Sequence, residues 1–263
     1  MRKNCNRILA LLLACVLTFA MAGQALAADT TPQAAEAAQA AVLTQANDAT
    51  SPALFSMSNS GYLKLNKPKN KAVYYKGETI PVSITIAPVG DDYIACTAIV
   101  ILNEKTEATV WQKDDLYIDG KTYNGKVNTK KFPAGSYAIA AATGIVDPSD
   151  EELEPLNDVE DSMVYAEFTL KTLKAPTSLK AAAGKRKVTI TYKKAAGATK
   201  YEIYRSTQKS KGYQKIAATT KTKYVDTKAK KGKKYYYKVR TVRTGSGTVY
   251  SAYTGAKRTG KVK

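Results

Sequence analysis

The residues best suited to chemistry in this chain are cations near its C-terminal end. A lysine-rich run spans residues 228–234, and two more basic residues follow on the next predicted strand, giving the set Lys228, Lys230, Lys231, Lys233, Lys234, Lys238 and Arg240. Lysine is a flexible point charge, whereas arginine favours bidentate recognition. We therefore predict a surface that attracts a polyanion diffusely.

Charge is divided unevenly along the chain. Residues 174–263 hold 21 lysines and 5 arginines against 2 acidic residues, a formal charge of +24. Residues 28–173 hold 12 basic and 20 acidic residues, a formal charge of −8. Self-repulsion of this size destabilises a compact domain unless anions or another surface neutralise part of it. The alternative is that the charge gives solubility or suits an intramolecular contact with the acidic region.

Two tyrosines are possible aromatic contacts for a ligand. Tyr204 and Tyr236 fall on the strand face opposite the predicted core positions. Tyrosine combines an apolar ring with a polar tip, which suits a binding surface. Cross-strand pairing of exposed rings explains both residues equally well, so the two alternatives stay open.

Enzymatic chemistry finds little support in the sequence. The chain has no histidine, which removes the commonest general base, the Ser-His-Asp arrangement and the usual zinc ligands. It also lacks Gly-x-Ser-x-Gly and a glycine-rich phosphate loop after a strand. We predict a protein that is not an enzyme, with no catalytic residues, no metal site and no cofactor. A hydrolase with its active site in the first domain is a minor alternative.

An acidic stretch at residues 147–161 holds eight carboxylates. Calcium takes several oxygen ligands, so the stretch is a conceivable calcium site. However, it lacks the alternating Asp-x-Asp-x-Asp-Gly pattern, and two prolines interrupt it. We favour a solvated loop and leave calcium binding open.

The first residues predict export. A charged start precedes the apolar residues 8–22, and Ala25-Leu26-Ala27 supplies a small-x-small cleavage site. The apolar run is shorter than the about 20 residues that cross a bilayer. We predict a signal peptide at 1–27, no transmembrane segment after its cleavage, and a secreted, extracellular or cell-wall-associated protein. Leu12-Leu13-Ala14-Cys15 resembles a lipobox, which leaves a lipoprotein as the alternative.

Signal cleavage would also remove two of the three cysteines. Cys5 and Cys15 lie in the segment that is cleaved, whereas Cys96 lies in an apolar run. A lone cysteine on a strand usually behaves as a small buried hydrophobe. We therefore expect no intramolecular disulfide in the mature chain.

A tether and a first β domain follow the signal peptide. Residues 28–60 are rich in Ala, Thr, Gln, Ser and Asn, which predicts a disordered or partly helical tether. The segment 61–173 has a period of two instead, as in the alternating Ile80, Val82, Ile84 and Ile86. Since Pro81 cannot donate to a ladder, we expect its strand at or beside a sheet edge. Further strands are predicted at residues 62–65, 95–103, 109–112, 122–127, 136–142 and 163–172.

The last segment, 174–263, resembles a fibronectin type III domain. Residues 175–179 look like the opening strand of that family, and strands B, C, F and G fit residues 187–192, 201–206, 232–241 and 250–253. Tyr192 stands where the family usually carries a tryptophan. Tyr235 occupies the position of a tyrosine corner, whose hydroxyl bonds back to upstream backbone. In the preceding segment, residues 75–80 and 132–137 look like those of bacterial Ig-like modules.

Together these features predict an all-β fold: two consecutive β-sandwiches, Ig-like at 61–173 and fibronectin type III-like at 174–263. The resemblance is to bacterial surface proteins, in which such domains serve as spacers or adhesion modules. We expect a secreted or cell-surface binding or scaffold protein. Its partners would be anionic cell-envelope polymers, polysaccharide or another surface protein. A carbohydrate-binding or adhesion module is the alternative, and the sequence does not set the oligomeric state.

Overall fold

The computed structural model describes residues 62–117, 120–147, 149 and 163–263. In these ranges the chain forms strands and no helix, so the described part also contains no helix able to cross a bilayer. The predicted signal peptide at 1–27, the tether at 28–60 and most of the acidic stretch lie outside the described residues.

Sixteen strands are seen in the described part of the chain. They are β1 (Leu63–Lys67), β2 (Ala72–Tyr75), β3 (Thr79–Ile86), β4 (Ile94–Asn103), β5 (Thr109–Tyr117), β6 (Thr122–Asn128), β7 (Gly135–Val146), β8 (Met163–Lys171), β9 (Thr177–Gly184), β10 (Lys187–Lys193), β11 (Lys200–Ser206), β12 (Gln214–Thr219), β13 (Lys223–Asp226), β14 (Tyr236–Gly245), β15 (Gly247–Tyr253) and β16 (Lys257–Arg258). Four sheets result, with strand orders β1-β3-β6, β2-β8-β7-β4-β5, β13-β10-β9 and β12-β11-β14-β15, and β16 pairs with β14. The all-β fold of two consecutive sandwiches is thus confirmed.

The strands belong to two compact units. Of the described residues, the N-terminal unit comprises those within 62–74, 80–127 and 134–170. The C-terminal unit comprises Tyr75–Thr79, Asn128–Pro133 and Lys171–Lys263, so it is discontinuous in sequence. The domain boundaries 61–173 and 174–263 stay a prediction.

In the N-terminal unit, the alternating apolar residues of β3 face the core. Ile80, Val82, Ile84 and Ile86 are buried as predicted. β3 lies between β1 and β6, so it is not itself an edge strand, but it begins beside the edge strand β1, which agrees with the second alternative of the expectation. Pro81 is tolerated there because the register of β1 with β3 ends at the pair Lys67 and Ser83, short of the proline.

Strands β4 and β7 form the middle of the five-stranded sheet and are buried along nearly their whole length. Their runs of small and β-branched residues suit a strand with neighbours on both sides. Tyr137 of β7 stacks on Phe168 of β8 with ring centroids 5.4 Å apart. A buried hydrogen bond of 2.7 Å joins the hydroxyls of Thr97 and Thr143 across the two middle strands. This sheet therefore pairs its few buried polar groups internally.

Cys96 lies on β4 and is buried, as its apolar context predicted. That the mature chain forms no intramolecular disulfide stays a prediction.

The C-terminal unit is a fibronectin type III-like sandwich. The stretches matched to the opening strand and to strands B, C, F and G are β9, β10, β11, β14 and β15. Its core centres on Val188, Ile190, Ile203 and Val239 together with buried tyrosines. Tyr192, at the family's tryptophan position, meets Tyr201 edge to face at 4.9 Å and donates from its hydroxyl to the carbonyl of Lys221 at 2.9 Å. Tyrosine therefore fills this place with its polar tip satisfied.

The segment Tyr75–Thr79 brings a buried carboxylate into the C-terminal unit. Glu78 is 1% exposed; its Oε1 lies 2.7 Å from Nε of Arg243, and its Oε2 accepts from the backbone N–H of Tyr75 at 2.7 Å. The Arg243 guanidinium also lies 4.6 Å from the centre of the Tyr75 ring. Thr129 donates from its hydroxyl to the Glu78 carbonyl. The two short segments are thus held by specific polar contacts within this unit.

Candidate functional site: a basic loop and a tyrosine face

The loop between β13 and β14, residues 228–234, carries five of the predicted polyanion-binding lysines, and we call it the basic loop. All five side chains are exposed: Lys228, Lys230, Lys231, Lys233 and Lys234. Among the described residues none of them forms an ion pair. Their charges are therefore available to solvent and to a partner.

The basic loop lines an open cavity of about 900 Å³. The cavity is bounded by Lys185, Arg186, Thr227, Lys228, Ala229, Lys230, Lys231 and Lys263. None of these residues carries a carboxylate side chain. Backbone hydrogen bonds from Arg186 N–H to the Lys263 carbonyl, 2.8 Å, and from Gly232 N–H to the Val262 carbonyl, 2.8 Å, hold the three chain segments together. Six cationic side chains thus converge on one concave surface.

Asp226 anchors the base of the basic loop. This buried carboxylate lies 2.8 Å from Nη1 of Arg205, accepts from the Tyr237 hydroxyl at 2.8 Å, and accepts from the backbone N–H of Lys228 at 3.0 Å. Burial and the Asp226 carboxylate raise the pKa of Tyr237, so the phenol stays a donor. The carboxylate fixes where the loop begins without neutralising its lysines.

A tyrosine corner fixes the middle of the same loop. The Tyr235 hydroxyl accepts from the backbone N–H of Lys230 at 3.2 Å, which confirms the role suggested by the resemblance. The Arg205 guanidinium lies 5.0 Å from the centre of the Tyr235 ring. The backbone of the basic loop is therefore held in place although its side chains are exposed.

The other two predicted cations lie on the outer face of β14, and the structure does not place them in the cavity. Arg240 lies 2.7 Å through Nη2 and 2.8 Å through Nε from Oε2 of Glu202 on β11, and Lys215 approaches Oε1 of the same carboxylate at 3.2 Å. Lys238 lies with its Nζ 4.4 Å from the centre of the Tyr213 ring. The predicted set thus divides into an unpaired loop and a structured face.

Glu202 is the carboxylate that organises this face. Burial alone would raise its pKa, but hydrogen bonds from Arg240, Tyr204 and Lys215 outweigh burial and lower the pKa to about 2. The group is therefore charged throughout the physiological range. Its negative charge holds Arg240 in one orientation on the sheet.

Three tyrosines surround the Arg240 guanidinium, and with Arg240 and Glu202 they form what we call the tyrosine face. The Cζ atom of Arg240 lies 4.0 Å from the ring centre of Tyr250, 5.2 Å from that of Tyr253 and 5.4 Å from that of Tyr204. Tyr204 is half-buried and donates to Glu202 at 2.8 Å. Tyr250 and Tyr253 are 49% and 44% exposed. Tyr236, the other predicted aromatic contact, is half-buried at the start of β14.

Sequence reasoning missed several members of both surfaces. Lys185, Arg186 and Lys263 are distant in sequence from the basic loop, and only the fold joins them to it. Tyr250 and Tyr253 lie three apart, which on a regular strand places side chains on opposite faces. An irregular register between β14 and β15 turns both towards Arg240 instead. Sequence reasoning could have found Tyr250 and Tyr253 only from the high number of tyrosines in this segment, because their spacing does not place them on one face.

An acid–base arrangement lies on the N-terminal unit, where the hydrolase alternative would place its site. Burial, and then the charge of Glu167, raise the pKa of Glu104. The hydroxyl of Tyr165 bonds to both carboxylates, and burial and both charges raise its pKa well above the ordinary value. Hydrogen bonding through this phenol accounts for the pair structurally. That the protein is not an enzyme stays a prediction.

Comparison with known proteins gives partial likenesses. No protein-family model matches the chain. A stretch of 158 residues, 58% of the chain, is 30% identical to part of an amylopullulanase from Thermoanaerobacter thermohydrosulfuricus, and the match spans about one tenth of that protein.

Two solved structures from Clostridium thermocellum are also similar. A fibronectin type III-like protein is 32% identical over 35% of this chain and 95% of its own length, with a TM-score of 0.32. The fibronectin(III)-like modules of CbhA are 13% identical over 76% of this chain and 94% of their own length, with a TM-score of 0.30.

Proposed function

We propose that the protein is a secreted or cell-surface binding and scaffold protein without enzymatic activity, whose C-terminal unit associates with anionic cell-envelope polymers through the basic loop. The observation that carries this proposal is the unpaired state of the five loop lysines. Cations that a fold uses for its own stability are normally paired, as Arg205 and Arg240 are here. The loop lysines have no such internal use among the described residues.

Convergence of further cations supports the proposal. Lys185, Arg186 and Lys263 line the same cavity as Lys228, Lys230 and Lys231 of the loop. Holding six like charges on one concave surface is unfavourable unless counter-ions collect there, so the surface favours anions. A repeating anion, such as a phosphate-bearing or acidic wall polymer, would contact several of these cations at once and release small counter-ions.

The likeness to part of an amylopullulanase supports a carbohydrate setting. The name of that enzyme describes the whole protein, of which this chain matches a small part, so we take from it an accessory role and no catalytic one.

Retention on isolated cell walls across a salt series tests the proposal. The full-length protein is compared with a variant in which the five loop lysines are changed to glutamine. Exposed charges contribute about 0.2–1 kcal/mol each, so the five together contribute about 1–5 kcal/mol and we expect retention to weaken at least about fivefold at low salt. Retention of the wild-type protein should also fall steeply as salt rises, because screening already acts within about 8 Å at physiological ionic strength.

A matched control separates location from total charge. Five other exposed lysines of the same unit, Lys193, Lys194, Lys209, Lys211 and Lys221, are changed to glutamine in a second variant with the same net charge. We expect it to keep most of its retention. Equal loss in both variants would overturn the assignment to the basic loop, and retention that does not respond to salt would overturn the proposal itself.

A further inference from the structure

The tyrosine face occupies the outer surface of the sheet that contains β11, β14 and β15. Register places Glu202 opposite Arg240 and Arg240 opposite Tyr253. The neighbours of these residues along the strands, Tyr201 and Val239, point into the core. The tyrosine face therefore lies on the side of the sheet away from the core.

The rings are held in position before any ligand arrives. Tyr204 and Tyr253 meet edge to face with centroids 5.0 Å apart. Arg240, fixed by Glu202, covers one side of Tyr250 at 4.0 Å. Ligand binding would therefore cost the protein little side-chain entropy, because these contacts already restrict the rotamers of the tyrosines and Arg240.

Large aromatic surface nevertheless stays in water. Tyr250 and Tyr253 are among the most exposed large hydrophobic residues of the described chain. Scattered exposed tyrosines are ordinary, but two neighbouring rings beside a stacked guanidinium form a contiguous flat patch. Such a patch suits a ligand that offers a flat C–H surface.

Charge narrows the class of ligand. Lys215, Lys238 and Arg240 lie on or beside this face, and Glu202 pairs with Lys215 and Arg240 but not with Lys238. Arg240 uses Nε and Nη2 for Glu202, and its Nη1 has no hydrogen bond among the described residues. Three cations against one carboxylate favour a ligand with negative charge.

We propose that the tyrosine face binds an acidic polysaccharide, whose pyranose rings stack on Tyr250 and Tyr253 while a ring carboxylate pairs with Nη1 of Arg240 and with Lys238. The inference rests on the proposed function and narrows its ligand class. A polyphosphate without sugar rings offers nothing to stack on the tyrosines. A neutral glucan would leave Lys238 and Nη1 of Arg240 without an anionic partner as they lose water.

Binding of three defined probes to the full-length protein tests this. The probes are oligomers of polygalacturonate, neutral malto-oligosaccharides and poly(glycerol phosphate), compared by titration calorimetry at one ionic strength. We expect polygalacturonate to bind at least about tenfold more tightly than the neutral sugar. The double variant Tyr250→Ala with Tyr253→Ala should lose about tenfold in affinity for it, because both stacking surfaces are gone.

A conservative variant controls for structural damage. Tyr250→Phe with Tyr253→Phe keeps both rings and should stay within about threefold of the wild-type affinity, since stacking does not need the hydroxyls. Unfolding curves show whether each variant is folded. An alanine variant that is folded and binds polygalacturonate like the wild type would overturn the inference.

The remaining outcomes separate this inference from the proposed function. If the glutamine variant of the basic loop loses polygalacturonate while the alanine variant keeps it, the loop is the site and the tyrosine face is not. Equal affinity for the neutral sugar, or binding of poly(glycerol phosphate) alone, overturns the acidic polysaccharide. If neither charged probe binds while the protein is still retained on cell walls in a salt-dependent way, the acidic polysaccharide is overturned and the proposed function stands. If retention fails as well, both proposals fail.

Discussion

The basic loop and the tyrosine face belong to one unit and carry the same sign of charge, but they hold that charge differently. The loop lysines are exposed and have no carboxylate partner in the described part of the chain. Arg240 of the tyrosine face is held by Glu202 and lies against Tyr250. An unpaired exposed charge acts through a screened field, whereas a fixed guanidinium offers donors in one direction. The number of cations on a surface therefore does not show whether it attracts any anion through a screened field or binds one ligand through oriented donors.

The largest expected effect comes from removing the carboxylate beneath the basic loop. Asp226→Ala leaves Arg205 and the buried Tyr237 hydroxyl without their partner, and such a loss costs about 3–5 kcal/mol of unfolding free energy. Chemical denaturation of the full-length protein measures it. Asp226→Asn, which keeps an acceptor, should lose less. A stability equal to the wild type in Asp226→Ala would show that the loop does not depend on this anchor.

Glu202 should matter less, because its partners are partly solvated. Glu202→Gln removes the charge that holds Arg240, and we expect a loss of about 2 kcal/mol at pH 7. The same denaturation experiment measures it, and near-ultraviolet circular dichroism reports whether the tyrosines of the face reorient. If the tyrosine signal does not change, Arg240 is fixed by its ring contacts alone.

The contribution of Glu202 should also depend on pH in a defined direction. Its pKa is lowered to about 2 in the folded protein, compared with about 4.3 in an unfolded chain. The stabilisation is therefore complete above about pH 4.3 and is lost as the pH falls towards 2. Consequently the stability gap between wild type and Glu202→Gln should narrow over this interval. A gap that widens on acidification would contradict the assignment.

Arg240→Lys tests the tyrosine face with its charge kept. Lysine cannot stack flat on Tyr250, and its single ammonium nitrogen cannot replace the planar pair of donors, Nε and Nη2, that Arg240 directs at Glu202, so we expect about 1 kcal/mol of destabilisation. Retention on cell walls at low salt should stay nearly the same, because the basic loop is unchanged. A marked fall in retention would mean that the wall polymer is held mainly at the tyrosine face and not at the basic loop.

The smallest effect on stability is expected at the basic loop itself. Changing its five lysines to glutamine removes no internal ion pair, so the unfolding free energy should change by less than about 0.5 kcal/mol. At low salt a small gain is expected, because repulsion is relieved. Thermal unfolding at two salt concentrations measures this. A large loss of stability would show that the lysines serve the fold and not a partner.

Most of the strands could be predicted from the sequence, because each of them shows a local pattern of alternating apolar and polar residues. The alternation along β3 and β8 and the order of stretches in the last segment follow from which side chains face a core. Sequence reasoning missed β2, whose four residues are too short to show a period. Pro81 left two alternatives for its strand, at an edge or beside one, and only the structure chose between them, because the choice depends on where the distant strand β1 ends.

Less of the candidate site could be predicted from the sequence, because its contacts join residues that are distant in the chain. The basic loop was visible because its charges are consecutive. The division between loop and tyrosine face was not, because the pairing of Arg240 with Glu202 joins residues 38 apart in the chain. The exposure of Tyr250 and Tyr253 likewise depends on an irregular register that no local pattern announces.

The discontinuity of the C-terminal unit has a practical consequence for cloning boundaries. A recombinant fragment that starts at residue 171 lacks Tyr75–Thr79 and Asn128–Pro133, although both segments belong to that unit. Arg243 would then lose the carboxylate of Glu78, and the hydrophobic contact of Val249 and Leu173 with Tyr75 would open to water. Such a fragment would expose Arg243 without its carboxylate and an apolar patch at Val249 and Leu173 that the intact protein covers. Its affinity for anionic material would therefore overstate that of the intact protein.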